Sequence, residues 1–367
     1  MRKSILTLLA STTIILTATA QEPTNPIDSI ARRVESLERR SNVWDKIKQH
    51  LDISGFIQAA YNWDDRGTST FNLRRARLSL SGNIFKDERG AKADYRLQAE
   101  FASSPKIVDL WVRYQPFNAL GVQLGQFKMP LMLELTEYSQ PKLGLIDFSL
   151  AVQRLQRMGS NDITAISSIG RDMGVQLYGG FIKRDGYSII NYNLAVVNGG
   201  GINTKDNNSS KDLIGRIVVK PIAGLSLAGF YMRGEGNFSS SSVLGSLGEV
   251  ANPKFVSMHR YGGGFVYQDS LIFVRAEYIK GQTGQLESDG AYAAAGYTFN
   301  KKFSMAMRWD YFDEDLSTKA KEYNYTIGAN YTPWKNLLLQ LNYTYKQYEN
   351  MEIGGSNAIN FMVTTLF

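Results

Sequence analysis

The chain has 367 residues, with 33 glycines, 20 tyrosines, 18 phenylalanines, only 9 prolines and no cysteine. This composition suits many strands and turns, and it excludes a disulfide framework or a cysteine-ligated metal site. The formal charge is +7; without Arg2 and Lys3 it is +5, from 39 basic and 34 acidic residues, a mild excess whose meaning depends on which strand faces carry it.

At the amino terminus, Arg2 and Lys3 precede an apolar run from Ile5 to Leu16, and Ala18 and Ala20 stand before Gln21. This is the layout of a cleavable signal peptide over residues 1–20, since a membrane-spanning helix needs about 20 apolar residues. No cysteine adjoins the cut, so no lipid anchor is expected there, and an exported chain is a poor partner for nucleic acid. Residues 21–49 read as a polar linker, Gln21 to Pro26, followed by a short periplasmic helix. Within that helix Ile27, Ile30, Val34 and Leu37 recur at intervals of three, four and three, a coiled-coil seam of the type that tolerates trimers. At fewer than two heptads the seam needs support from a larger assembly. The alternative is an amphipathic helix lying on its own barrel.

From His50 the period changes to two and stays there. Leu51, Ile53, Ile57 and Tyr61 alternate with Asp52, Ser54 and Gln58. Tyr95, Leu97, Ala99 and Phe101 alternate with Asp94, Arg96, Gln98 and Glu100. About 16 such segments follow, roughly ten residues each, the length and alternation of tilted strands crossing an outer membrane. They begin near Leu51, Phe71, Lys92, Ile107, Ala119, Arg171, Tyr187 and Leu213, then near Leu225, Met258, Leu271, Gly290, Phe303, Glu322, Leu337 and Asn357.

Tight turns at Pro116, Lys183, Pro221, Gln268, Asn300 and Thr332 alternate with longer connections at 129–170, 198–212, 234–257 and 313–321. A longer turn near Lys86 and a short connection near Ser103 are exceptions. The last strand ends on Phe367, with Phe361 and Val363 on the same face. The expected fold over residues 50–367 is therefore all-β: a closed antiparallel transmembrane β-barrel of about 16 strands in the bacterial outer membrane. Closure pairs every backbone group in lipid.

Strand parity places Arg75, Arg77, Arg96, Arg113, Arg216, Lys220, Arg260, Arg275, Arg308 and Lys346 on the lumen side. Asp52, Asp94, Glu100, Asp109, Glu277 and Asp310 share those faces, so the lumen is net positive by about four charges. Such a wall favours anions, because guanidinium and ammonium groups replace an ion's water with charge-assisted hydrogen bonds. The long connection 129–170 is a candidate constriction. Its apolar stretch Leu143 to Leu155 suits either the inner wall or a subunit contact. No cluster of three or more lysines or arginines is legible as a dedicated phosphate site. Only His50 and His259 are available for catalysis, neither with a readable partner, so no enzyme, metal or cofactor is expected.

The segments FNLRRARLSLSGNIFKD from Phe71, YRLQAEFA from Tyr95 and KIVDLWVRYQPFNALGVQLGQFKMPLMLE from Lys106 together resemble the phosphate-selective porin O and P family. The resemblance implies a homotrimeric outer-membrane channel of 16 strands per subunit that takes up phosphate or related small anions among lipid and lipopolysaccharide. Arg74 and Arg75 match the family's paired arginines, and the resemblance implies that both line the channel. Parity alone puts Arg74 on the apolar face, where it would snorkel to headgroups. Lys128 has ambiguous parity because Gly125 is a candidate bulge. A general non-specific porin, a non-conducting adhesin or anchor, and a rim-site hydrolase remain alternatives.

Overall fold

The computed structural model describes residues 50–158, 162–164, 166, 168–206, 210–237, 255–350 and 352–367, with Arg33 alone from the leading segment. The leader over 1–20 and the seam of Ile27, Ile30, Val34 and Leu37 lie outside the described residues. The chain divides into Met1–Gln49 and His50–Phe367, and the second unit is the barrel.

Sixteen strands build it. The first eight are β1 (Asp52–Asp64), β2 (Thr68–Lys86), β3 (Lys92–Glu100), β4 (Lys106–Phe117), β5 (Leu120–Lys128), β6 (Arg171–Arg184), β7 (Tyr187–Val197) and β8 (Asp212–Val219). The second eight are β9 (Leu225–Asn237), β10 (Phe255–Gln268), β11 (Ile272–Thr283), β12 (Leu286–Asn300), β13 (Phe303–Asp313), β14 (Lys321–Trp334), β15 (Leu337–Glu349) and β16 (Ser356–Leu366). Each starts within four residues of the position that alternation predicts. Strands pair antiparallel in chain order, and β1 closes on β16 from Phe56 opposite Leu366 to Asp64 opposite Ala358. Beyond that ladder, Phe367 and Gly55 exchange backbone hydrogen bonds of 2.9 and 3.1 Å.

The period of two sorts side chains between two media. On β1, Phe56, Gln58 and Ala60 are buried inward, while Ile53 and Ile57 face out. The outer face carries two aromatic levels on β12–β14. Trp309, Tyr311 and Tyr323 cluster at one, with Tyr311 and Tyr323 centroids 5.5 Å apart. Tyr297, Phe299 and Phe303 cluster at the other. Rings at these two heights match the two interfaces of a bilayer. No helix among the described residues is long and apolar enough to cross a membrane.

Two irregularities reset parity beside the lumen. The β1–β2 register shifts between Gln58, opposite Arg75, and Ala59, opposite Leu73, so Arg74 is the extra residue of a bulge. The apolar-face position expected for Arg74 is thereby overturned: the bulge turns it inward, toward Asp147. On β5, Gly125 has φ of +127°, and a Cβ there would lie 2.2 Å from the Leu110 carbonyl oxygen and 2.8 Å from Trp111 Cα. Both obstacles are backbone. Gly125→Ala should therefore destabilise the barrel by about 2–3 kcal/mol, lowering the temperature at which the folded form converts to the unfolded one in a gel-shift assay.

Candidate functional site

Between β5 and β6 lie 42 residues, and the described ones do not project outward from the barrel; they fold back into it. They carry helix α1 (Leu133–Glu137), a 3-10 turn (Gln140–Lys142) and helix α2 (Leu150–Leu155). Ser149 caps α2 by accepting from the Val152 amide, and Pro141 stands in the first turn of the 3-10 segment, where no amide donor is needed. Apolar side chains of this loop include Met129, Leu131, Met132, Leu135, Leu143, Phe148, Leu150, Val152 and Leu155. They form one buried cluster with Val197, Ile214, Phe230, Met232, Ile279, Tyr292 and Phe312 of the wall. Burial of each large side chain contributes about 1.5–3 kcal/mol. The stretch Leu143 to Leu155 thus packs on the inner wall of its own barrel.

Polar anchors fix the position. Glu277 on β11 accepts from the Leu133 and Glu134 amides at 2.6 and 2.8 Å and from the Tyr292 hydroxyl at 2.8 Å. Asp310 accepts from the Leu150 amide at 3.0 Å and from Arg308 Nε at 2.7 Å. Arg308 then donates to the carbonyls of Asp147 and Phe148 at 2.6 and 3.2 Å. At the loop base, Arg157 lies 2.7 Å from Asp212 and 3.4 Å from Asp172. The far end reaches the opposite wall, where Ile146 packs with Ala60 and Met362 and Asp147 forms an ion pair with Arg74. The loop therefore crosses the whole lumen.

Cavities lie on either side of this crossing. Toward the end with the long connections is a space of about 430 Å³ lined by Asp64, Asp147, Glu322, Arg154, Arg308 and Lys346. Its charges balance, with Lys346 on Asp64 at 2.9 Å and Arg154 on Glu322 at 2.8 Å. On the other side a chamber of about 660 Å³ is lined by six cations, Arg77, Arg96, Lys128, Lys142, Arg171 and Arg216, against two carboxylates, Asp109 and Glu137. A third space of about 750 Å³ adjoins it, sharing Glu137, Asn193 and Arg216 and lined also by Lys220.

The predicted basic residues fall into three groups. Arg77, Arg96, Lys128 and Arg216 line the cationic chamber, whereas Arg75 and Arg113 stand on the inner wall without lining any of the three spaces; each of the six has a partner. Arg75 donates to Gln58 at 2.9 Å, Arg77 to Glu100 at 2.9 Å, and Arg113 to Asp94 at 2.6 and 2.8 Å. Arg96 lies 3.5 Å from Asp109. Lys128 points in and donates to the carbonyls of Leu135 and Tyr138 at 2.8 and 3.1 Å, and Arg216 bonds Glu137 at 3.0 Å. Lys220 lines the third space, and Arg308 and Lys346 line the balanced one.

Arg260 and Arg275 form the remaining group; they face inward but line none of these three cavities. Arg260, 1% exposed, is spent on the carbonyls of His259 and Gln282 and on Thr283. Arg275 is clamped between the rings of Tyr138 and Phe273, with its guanidinium carbon 4.4 and 4.0 Å from the centroids, and it donates to the Leu143 carbonyl. Both are covered by the folded-in loop instead of lining open pore.

Arg171 escaped the parity reading, and Arg154, Lys142 and Asp147 lie in the loop, to which strand parity does not apply. Arg171 shares odd parity with the outward Met173 and Val175, yet it turns in opposite Lys128 and donates to Asp109 at 2.7 Å. Its partner lies two strands away, on β4, a pairing no local pattern carries. The six-cation chamber was likewise not legible as a cluster in the sequence, because it draws on five strands and the loop. Among the described residues no group of three or more His, Asp or Glu is placed to hold a metal ion.

A closed sixteen-strand barrel with an apolar, aromatic-banded outer face and a loop folded across a charged lumen defines an outer-membrane porin. The sequence matches Phosphate-selective porin O and P over residues 47–226 and Putative beta-barrel porin-2, OmpL-like, over residues 188–367. Both matches place the chain among outer-membrane β-barrel porins, with residues 47–226 assigned to the phosphate-selective porin O and P family. No functionally curated protein matches the sequence.

Among solved structures, the anion-selective porin from Comamonas acidovorans superposes with a TM-score of 0.63 at 12% identity, covering 86% of this chain and 99% of that one. The outer membrane channel DcaP of Acinetobacter baumannii gives 0.61 at 13% identity, covering 86% and 97%. The trimer form of OmpT of Vibrio cholerae gives 0.61 at 9% identity, covering 86% and 99%. At these identities the likeness is one of fold. Family and fold both point to a channel rather than an enzyme.

Glu277 is the anchor on which the loop's first helix depends. Glu277→Ala leaves two buried amides without an acceptor, at a cost of about 1–3 kcal/mol each. The variant should show larger, noisier single-channel conductance than the wild type.

Proposed function

We propose that this porin passes small anions by passive diffusion, with phosphate and related oxyanions as its solute class. The observation that carries the reading is the chamber of about 660 Å³ with six cations and two carboxylates. A guanidinium fork meets two oxygens of an oxyanion at once and stays charged at every working pH, so such a wall can stand in for lost hydration. Arg74, Arg75, Arg77, Arg96, Arg113, Lys128, Arg171 and Arg216 are the residues assigned to the path; Lys220 and Lys346 belong to its two ends, and Arg308 holds the loop beside it.

Between the balanced cavity and the cationic chamber, Asp147 occupies the place beside Arg74 that a passing anion would take, with Arg75 next to it. An anion on this path displaces a carboxylate the protein carries itself. Burial pushes the Asp147 carboxyl up, but Arg74 and its hydrogen bonds, with Arg75 and Arg308, pull it below the usual carboxylate range. The pair is thus fully formed above the ordinary carboxylate pKa and is lost only as pH falls through a lower value. Mild acid, down to about pH 5, leaves it closed.

General anion passage is the second reading, favoured by Glu100, Asp94 and Asp109, which already engage Arg77, Arg113, Arg96 and Arg171. The cleavable leader over 1–20, the periplasmic helix within 21–49, contacts with lipopolysaccharide and a homotrimeric state complete the proposal. Trimerisation is supported by the Ile27–Leu37 seam and by the likeness to a porin crystallised as a trimer.

The deciding measurement is the reversal potential of the mature protein in a planar bilayer under a potassium chloride gradient, followed by phosphate titration. Anion-selective current blocked by low phosphate supports oxyanion specificity; unblocked anion current means a general anion channel; cation selectivity overturns both. Arg75→Ala with Arg77→Ala should lower the anion-to-cation permeability ratio roughly threefold. Asp147→Asn should do the opposite, raising both conductance and anion preference.

A further inference from the structure

The third space differs in chemistry from its cationic neighbour. It opens where the β4–β5, β8–β9 and β10–β11 turns meet, at the end opposite the long connections. Its floor is the apolar group Leu133, Val218 and Val266, with Tyr138 packed against it. Its walls carry the carboxamides of Gln115, Asn118, Asn191, Asn193 and Gln268. Its two cations, Arg216 and Lys220, are matched by Glu137 and Asp269, so it offers a bare ion no net attraction.

Two groups at its edge have unused hydrogen-bonding capacity. Arg216, 7% exposed, has no partner for its buried Nε, and the buried hydroxyl of Tyr178 has none either. Arg216 lines both spaces, and its Nη2 also bonds Asn193 at 3.2 Å. The amide nitrogens of Gln115, Asn118 and Asn191 donate within the protein, so these side chains turn their oxygens to the space as acceptors for hydroxyl groups, while Asn193 and Gln268 accept from Arg216 and Tyr138 and keep their amide nitrogens as donors. An apolar floor with an aromatic ring suits the C–H face of a sugar or similar ring. Inorganic phosphate uses neither.

We propose that the two chambers act together on one solute class, the phosphate monoesters of sugars or other polyols. The phosphate sits among the cations, the hydroxylated ring lies on the amide and apolar surfaces, and Arg216 touches both parts. This inference rests on the oxyanion reading above. Joining the two halves in one molecule makes the second contact intramolecular, so the ester binds more tightly than either part alone.

The test compares block of chloride current by glucose 6-phosphate, inorganic phosphate and glucose, each added to the side of the short turns in a planar bilayer. Glucose 6-phosphate should reach half-block at about tenfold lower concentration than phosphate, with glucose weakest. Gln115→Ala with Asn191→Ala should bring glucose 6-phosphate back to the level of phosphate while leaving phosphate block unchanged. Equal block by glucose 6-phosphate and phosphate in the wild type overturns the inference without any variant, as does a double variant that keeps the difference. If neither compound blocks, the oxyanion reading falls first; block by glucose 6-phosphate without block by phosphate leaves the paired chambers standing and removes phosphate specificity alone.

Discussion

The architecture of the lumen depends on one buried arrangement of charge: carboxylates on the barrel wall that accept from the backbone of a loop folded across it. Glu277 and Asp310 project from β11 and β13, and each takes up amides at the start of a short loop helix. The loop's apolar side chains find partners on one stretch of the wall, and its backbone polar groups must then be satisfied by the wall as well. Arg308 completes the arrangement by pairing with Asp310 and holding the loop's far segment through two carbonyls. With both sides fixed, Asp147 is delivered to Arg74 on the opposite wall, and the lumen becomes two compartments of unlike charge.

Strand number and placement were legible in the sequence because alternation between lipid and water is imposed on every residue of every strand. A rule applied that often survives local exceptions. The exceptions fall where the lumen is most specialised. Arg74 reads as lipid-facing until the bulge opposite Gln58 and Ala59 is known, and Lys128 cannot be placed until Gly125 takes its positive φ. Arg171 is the clearest failure of parity, since the end of a strand is free to rotate and a buried Asp109 two strands away gives it a reason to.

The cation cluster was hidden for a different cause. Its members come from β2, β3, β5, β6, β8 and the loop, each alone in its own segment. A closed sheet brings such positions together at one height, and spacing along the chain holds no trace of that. The burial of Arg260 and Arg275 beneath the loop was equally invisible, because facing the lumen and reaching open space are separate conditions once a loop fills part of the interior.

The balanced cavity and the cationic chamber sit in series along one axis, so the passage is electrically lopsided. On the proposed anion path, mobile anions would enrich in the positive compartment and not in the neutral one, and reversing the applied voltage would reverse whether they drain from that store or must refill it. Such a channel would rectify, carrying unequal currents at equal and opposite voltages, and raising the salt concentration, which screens the wall charge, would make the two directions alike.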